Sequence, residues 1–230
     1  MQNVPVVLLG TGARGKLLMP AKVLTVAQQK GGAGKTTLVA HLAVAFSAAK
    51  RRVALIDIDP QQSLSAWYRV REATMGDAGA GLLLNAVSGW RTRAEVSRLA
   101  GDADIVLIDS PPHAETEARI AVRNADLVIV PVQPSPMDVW ATRPTLELAR
   151  REGSPALVVL NRVPPRANLN EEMFAEAKRL GARIARTRIG NRVAFAAALA
   201  SGRAVNEAQP RGRAAQEIGA LAREVLRAAG

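Results

Sequence analysis

The sequence predicts a single doubly wound α/β domain, a mostly parallel sheet with helices on both faces. Three observations carry this. Short apolar runs alternate with helix-period segments, the signature of strand–helix–strand crossovers. Most runs are β-branched and apolar throughout, as strands covered on two faces require. A glycine-rich turn joins the first convincing run to the first long helical pattern, where open α/β sheets bind ligands.

In chain order, the predicted strands are Val23–Gln28, Val53–Asp57, Ile105–Asp109, Leu127–Val132 and Ala156–Asn161. Each is a near-continuous apolar run of strand length, and several end on a polar residue. Helical spacing places helices at Lys35–Ala49, Ser63–Arg71, Glu115–Asn124, Val139–Arg151 and Asn170–Leu180, then Asn191–Ala200 and Arg213–Ala228. Gly76–Gly81 reads as a small-residue connection. Residues 1–18 read as an N-terminal extension before a domain at 19–230, and Met19 is a candidate start.

The chain has 230 residues, 48% apolar and 22% charged, a composition suited to one globular domain. It has no cysteine. That excludes a disulfide framework, a thiolate zinc site, an ordinarily ligated iron–sulfur cluster and a cysteine nucleophile. No run approaches the roughly 20 apolar residues of a membrane span, and no signal core opens the chain, so a cytoplasmic location and no stable membrane insertion are expected. The formal charge is +11, and residues 178–230, with 11 basic and three acidic side chains, supply +8 of it. Arginine makes up 25 of the 31 basic residues, the side chain best matched to phosphate. A solvated surface and a polyanion-binding face both fit that count.

Two glycine-rich loops are present. Gly10–Lys16 nearly fits a phosphate loop, but Leu17 stands where a magnesium-binding hydroxyl belongs and Pro20 stops a following helix. The second, Gln29-Lys30-Gly31-Gly32-Ala33-Gly34-Lys35-Thr36-Thr37, follows a strand and opens a helix. Its glycines let consecutive amides turn around a phosphate, and the helix dipole adds positive potential. Lys35 is placed for the β- and γ-phosphates and the Thr36 hydroxyl for Mg²⁺. This is the pattern of a nucleoside triphosphate site. Asp57 and Asp59 end one strand and Asp109 another, at the sheet rim where the loop lies. Such acids hold metal-bound waters and orient an attacking water. Asp104 and Asp138 read instead as helix caps.

The lysine five positions before the loop lysine, the Asp57-Ile-Asp59-Pro60-Gln61 segment and the Asp109-Ser-Pro-Pro112 segment together resemble the ParA family. These are DNA-partitioning P-loop ATPases of the deviant Walker A class, related to the septum-site regulator MinD. The resemblance runs from about Met19 to the C-terminus. It implies ATP and Mg²⁺ as cofactors, an ATP-dependent homodimer, non-specific DNA binding, a partitioned or positioned cargo, and a ParB-like adaptor or cargo protein that stimulates ATP hydrolysis. By it, Lys30 is the signature lysine reaching the partner's phosphates, and Gly31, Gly32, Ala33, Gly34, Lys35 and Thr36 cradle the phosphates. Thr37 touches the α-phosphate, Asp59 positions the hydrolytic water, Asp57 and Asp109 support the metal, and Asn161 recognises adenine. Arg183, Arg186, Arg188 and Arg192 fall where the family carries DNA-binding arginines, which implies a nucleoid-associated protein.

A MinD-like membrane regulator is the alternative, and requires a free amphipathic C-terminal helix. Residues 218–230 have leucines but no Trp or Phe and suit packing against a core. A biosynthetic ligase or amidotransferase lacks its glutaminase cysteine here. His41 reads as a structural helix residue and His113 as a structural or exposed loop residue after Pro112, a place in a switch loop near the γ-phosphate being the alternative. Trp67 and Trp140 are expected in the core, with Trp140 the better interface candidate of the two.

Overall fold

A computed structural model of the chain describes residues 20–112, 115–165 and 169–230. Seven strands form one parallel sheet: β1 (Lys22–Val26), β2 (Val53–Asp57), β3 (Leu82–Ala86), β4 (Ile105–Asp109), β5 (Leu127–Val132), β6 (Ala156–Leu160) and β7 (Arg183–Ile184). Their spatial order is β3-β2-β4-β1-β5-β6-β7. The winding reverses at β1, which pairs with β4 on one side and β5 on the other. That reversal opens a crevice at the strand ends, and the glycine loop enters it.

Alternation along the strands divides the core into two layers. Leu24, Val26, Leu55, Leu107 and Ile129 pack with α1 (Lys35–Ala48), whose Leu38, Val39, Leu42 and Phe46 are fully or nearly fully buried. α8 (Val193–Ala200), α9 (Val205–Ala208) and α10 (Arg213–Ala228) complete that layer. On the other face, Val23, Ile56, Val106 and Ile108 meet α3 (Thr92–Leu99) and α4 (Glu115–Arg123), and Val128, Val130 and Val158 meet α6 (Arg143–Arg151) and α7 (Leu169–Arg179). Each fully buried Leu or Ile contributes about 1.5–3 kcal/mol, so the two-layer division fixes strand register strongly. The apolar stripe of α10 (Ile218, Leu221, Val225) is buried in the core, so that stripe is spent on packing. Among the described residues, no helix is long and apolar enough to cross a membrane.

Several local expectations are corrected. The helix expected over residues 139–151 is two helices, α5 (Pro136–Trp140) and α6, and Pro144 sits in the first turn of α6, where its missing amide has no partner to lose. α2 runs from Ser63 to Ala80 with a kink at Gly76 (φ 66), absorbing the expected connection. The edge strand β3 and α3 were not expected. Asp104 caps no helix: it accepts hydrogen bonds from the Arg52 amide and guanidinium at the feet of β2 and β4. Asp138 is not the cap of α5 either; Ser135 is, and its hydroxyl also meets the Asp138 carboxylate. Trp67 is buried as expected, but Trp140 is 57% exposed on the outer side of α5. The Gly10–Lys16 loop and His113 lie outside the described residues.

Candidate nucleotide site

The loop between β1 and α1 has the conformation its glycines permit. Gly32 (φ 76) and Gly34 (φ 89) occupy the left-handed region, and Gly34 stands at the N-cap of α1. Side chains from across the sheet hold the turn. Gln28 donates to the Pro131 carbonyl and to Thr142 Oγ1, and its own Oε1 accepts from Thr145. Gln133 donates to the Gly32 carbonyl, and Asn161 to that of Ala33 at 2.8 Å. None of these supports was anticipated; Asn161 was expected at the adenine and not as a brace of the loop. Glutamine and threonine in and after strands carry no local pattern that announces such a role.

Lys35 is 7% exposed, and its ammonium donates to the Gln28 carbonyl at 3.1 Å. Burial lowers its pKa, while Asp109 and Asp59 oppose the shift by favouring the charged form. The Thr36 hydroxyl donates to Asp109 Oδ2 at 2.6 Å. Asp109 is fully buried and its other oxygen, Oδ1, has no partner. Burial pushes its pKa up to about 7, with Asp57 and Asp59 adding to the rise and the Thr36 hydroxyl opposing it. An orphan carboxylate oxygen beside a threonine hydroxyl suits Mg²⁺ held through a hydroxyl, waters and phosphate oxygens. Among the described residues, no three His, Cys, Asp or Glu converge into an all-protein cage.

The two acids of β2 divide their work. Asp57 Oδ2 accepts from the Ser65 amide at 2.9 Å and hydroxyl at 2.7 Å, and Oδ1 accepts from the Asp59 amide at 3.2 Å. Both oxygens are therefore engaged in anchoring α2 and the Asp59 turn, so Asp57 supports the site from behind. Asp59 lines the cavity over the loop, about 430 Å³, together with Gly31, Lys35 and Thr36. Lys30 turns away from that cavity. Its ammonium lies 2.8 Å from Asp138 Oδ1, with 39% of the side chain exposed.

The model of the CobQ/CobB/MinD/ParA nucleotide binding domain matches residues 24–205. The chain belongs to this family. Among curated relatives, the maintenance of carboxysome distribution protein A of Halothiobacillus neapolitanus is 32% identical over 216 residues, covering 90% of this chain and 97% of the relative. Among solved structures, an ATP complex of McdA from Cyanothece has a TM-score of 0.74 at 20% identity, over 90% of this chain and 97% of that one. The cell division ATPase MinD of Pyrococcus furiosus has a TM-score of 0.76 at 19% identity, over 90% and 99%. Those two share the fold.

This ParA/MinD-type domain also has a second, more apolar cavity of about 280 Å³ beside the first. Leu38, His41, Asn161, Ile189, Val193 and Phe195 are among its walls. Its size and its place beyond Thr37 suit a nucleotide base. Asn161 stands at its edge with both ends of its amide occupied, donating to Ala33 and accepting from the Arg162 amide at 3.0 Å. In this conformation it braces the loop.

His41 is fully buried, accepts from the Val205 amide through Nδ1 at 3.2 Å and meets the Phe195 ring edge-on at 5.1 Å. Burial pushes its pKa down to about 4. The unfolded chain takes up a proton near pH 6.5 that the folded chain refuses until about pH 4, so stability falls as pH drops through that window. The full loss is about 3 kcal/mol. Acidification from pH 7 to pH 5 should cost wild type more stability than His41→Asn by about 2 kcal/mol in denaturant unfolding, the opposing contribution of the raised Asp109 being common to both. An equal acid loss in both proteins refutes the assignment.

The four C-terminal arginines do not form one patch. Arg192 is bound to Glu217 and lines the base-sized cavity. Arg183, on β7, instead lines a cleft of about 570 Å³ with Arg143, Arg150 and Arg179. Arg186 is exposed and Arg188 half-buried, on the turn after β7. Glu224 fixes that turn by accepting from the Arg186 and Thr187 amides at 2.7 and 3.0 Å. Burial raises the Glu224 pKa, but these amides and the Thr187 hydroxyl outweigh it, and the net shift is downward.

Proposed function

We propose that this protein is a slow Mg²⁺-dependent ATPase whose output is an ATP-bound dimer that binds DNA non-specifically and positions a cargo. The observation that carries this reading is Lys30. It belongs to the phosphate loop yet points out of its own cavity, half-exposed and held by Asp138. A lysine so placed is available to a second subunit's phosphates. Contact with the γ-phosphate from both subunits gives ATP, and not ADP, a preference for the dimer, and only such a preference shifts the equilibrium. Asp59, at the cavity wall, orients the hydrolytic water, and hydrolysis dissolves the dimer.

Similarity to a carboxysome distribution protein over nearly the whole chain favours a large protein body as cargo over a plasmid. A ParB-like adaptor then couples cargo to hydrolysis, and the nucleoid supplies the DNA track within the cytoplasm. Arg183, Arg186 and Arg188 are the DNA contacts in this reading, whereas the Arg192 charge is already met by Glu217. Two copies of this surface in one dimer make DNA binding depend on ATP through avidity.

The test is duplex binding by filter assay across salt concentrations. Arg186→Glu with Arg188→Glu should weaken ATP-dependent binding about 10-fold or more and flatten the log–log salt dependence by about 4, two contacts being lost from each subunit of the dimer. ATP-driven dimerisation should persist. Wild-type DNA affinity in this double variant would sink the assignment.

A further inference from the structure

The two cavities of the site meet at two residues. Thr37 and Arg162 line both the cavity over the phosphate loop and the base-sized cavity beside it. Thr37 opens α1 and is already read as an α-phosphate contact. Arg162 belongs to no motif, yet its backbone is unusual. Its φ is 54, in the left-handed region that a non-glycine residue seldom enters, and such strain concentrates at functional sites. The Asn161 side chain accepts from the Arg162 amide, locking the turn, while the same side chain grips the loop at Ala33. The outcome is a guanidinium aimed back across the loop. Arg162 Nε lies 4.0 Å from where a Cβ on Gly34 would stand. Among the described residues it has no carboxylate partner. A cation held without a counter-charge over a phosphate-binding turn raises the positive potential where an anion must sit.

We propose that Arg162 is a nucleotide-binding residue, its guanidinium closing over the α-phosphate of a bound nucleoside di- or triphosphate, opposite Thr37. This rests on the nucleotide reading of the two cavities. The seam between a phosphate cavity and a base cavity is where that part of a nucleotide lies, and the forked donors of arginine suit a phosphate whose other face meets Thr37.

Three variants of the full chain separate charge from backbone geometry: Arg162→Lys, Arg162→Asn and Arg162→Ala. Asparagine tolerates the left-handed backbone but carries no charge. Fluorescent ADP binding, competed with unlabelled ADP and with adenosine, supplies the affinities, and thermal melting of the ligand-free protein reports folding. Arg162→Asn should lose about 10- to 100-fold in ADP affinity, keep the adenosine affinity and melt like wild type. Arg162→Lys should recover part of the loss. ADP binding by Arg162→Asn within a factor of two of wild type overturns the proposal, as does a parallel loss of ADP and adenosine in Asn and Lys alike. Failure of the underlying nucleotide reading looks different: wild type itself would bind neither ADP nor ATP.

Discussion

Lys30→Gln is expected to abolish ATP-dependent dimerisation while leaving ATP binding by the monomer nearly intact. The two effects separate because the Lys30 ammonium is turned toward Asp138, whereas Lys35, buried beneath the loop, remains in its own cavity. Glutamine preserves length and polarity but supplies no charge to a partner's phosphate. Asp138→Asn is expected to act in the opposite direction. It releases Lys30 from a partly exposed ion pair worth about 1 kcal/mol or less, so half-maximal dimerisation should need up to about fivefold less ATP. Asparagine still offers an oxygen to Ser135, so the cap of α5 survives. Light scattering at graded ATP concentrations checks both. Dimerisation of Lys30→Gln at wild-type ATP levels would show that the lysine has no role across the interface.

The second large effect is expected at Gly34. A Cβ there would stand 2.6 Å from Asn161 Nδ2, below any real carbon–nitrogen contact, and the backbone has φ 89. Asn161 cannot withdraw cheaply, because Nδ2 is bonded to the Ala33 carbonyl and Oδ1 to the Arg162 amide. Gly34→Ala must therefore shift the loop or break the Asn161 bridge. We expect a loss of stability of about 1–3 kcal/mol and a loss of nucleotide affinity of at least about 100-fold. Calorimetric titration with ADP and denaturant unfolding measure the two. Binding within threefold of wild type would show that the loop does not form the phosphate cradle.

These effects also mark how far the sequence could be read. β2, β4 and β5 are found at the predicted residues, because a run such as VALID or IVLID has one stable fate, burial on both faces of a sheet. β3 was missed because LLLNA is a half-exposed edge strand behind a kinked helix, with a weaker apolar signature. The break between α5 and α6 was missed although Pro144 announces it. Asp138 was misjudged because its sequence neighbours describe a helix start, while its charge partner lies 108 positions earlier.

The phosphate loop, the acids at the strand ends and the family were legible in the residues, since these depend on short spacings that chain geometry converts directly into a turn, a helix start and a rim. Tertiary structure alone decided which groups complete the site. Thr36 meets Asp109 across 73 residues, Asn161 grips Ala33 across 128, and Gln28 is held by Thr142 across 114. It also divided the C-terminal arginines, giving Arg192 to Glu217 and Arg183 to a separate cleft. The reason is physical. Backbone periodicity is local, whereas burial and charge compensation depend on which strands lie side by side, and a parallel sheet makes neighbours of residues far apart in the chain.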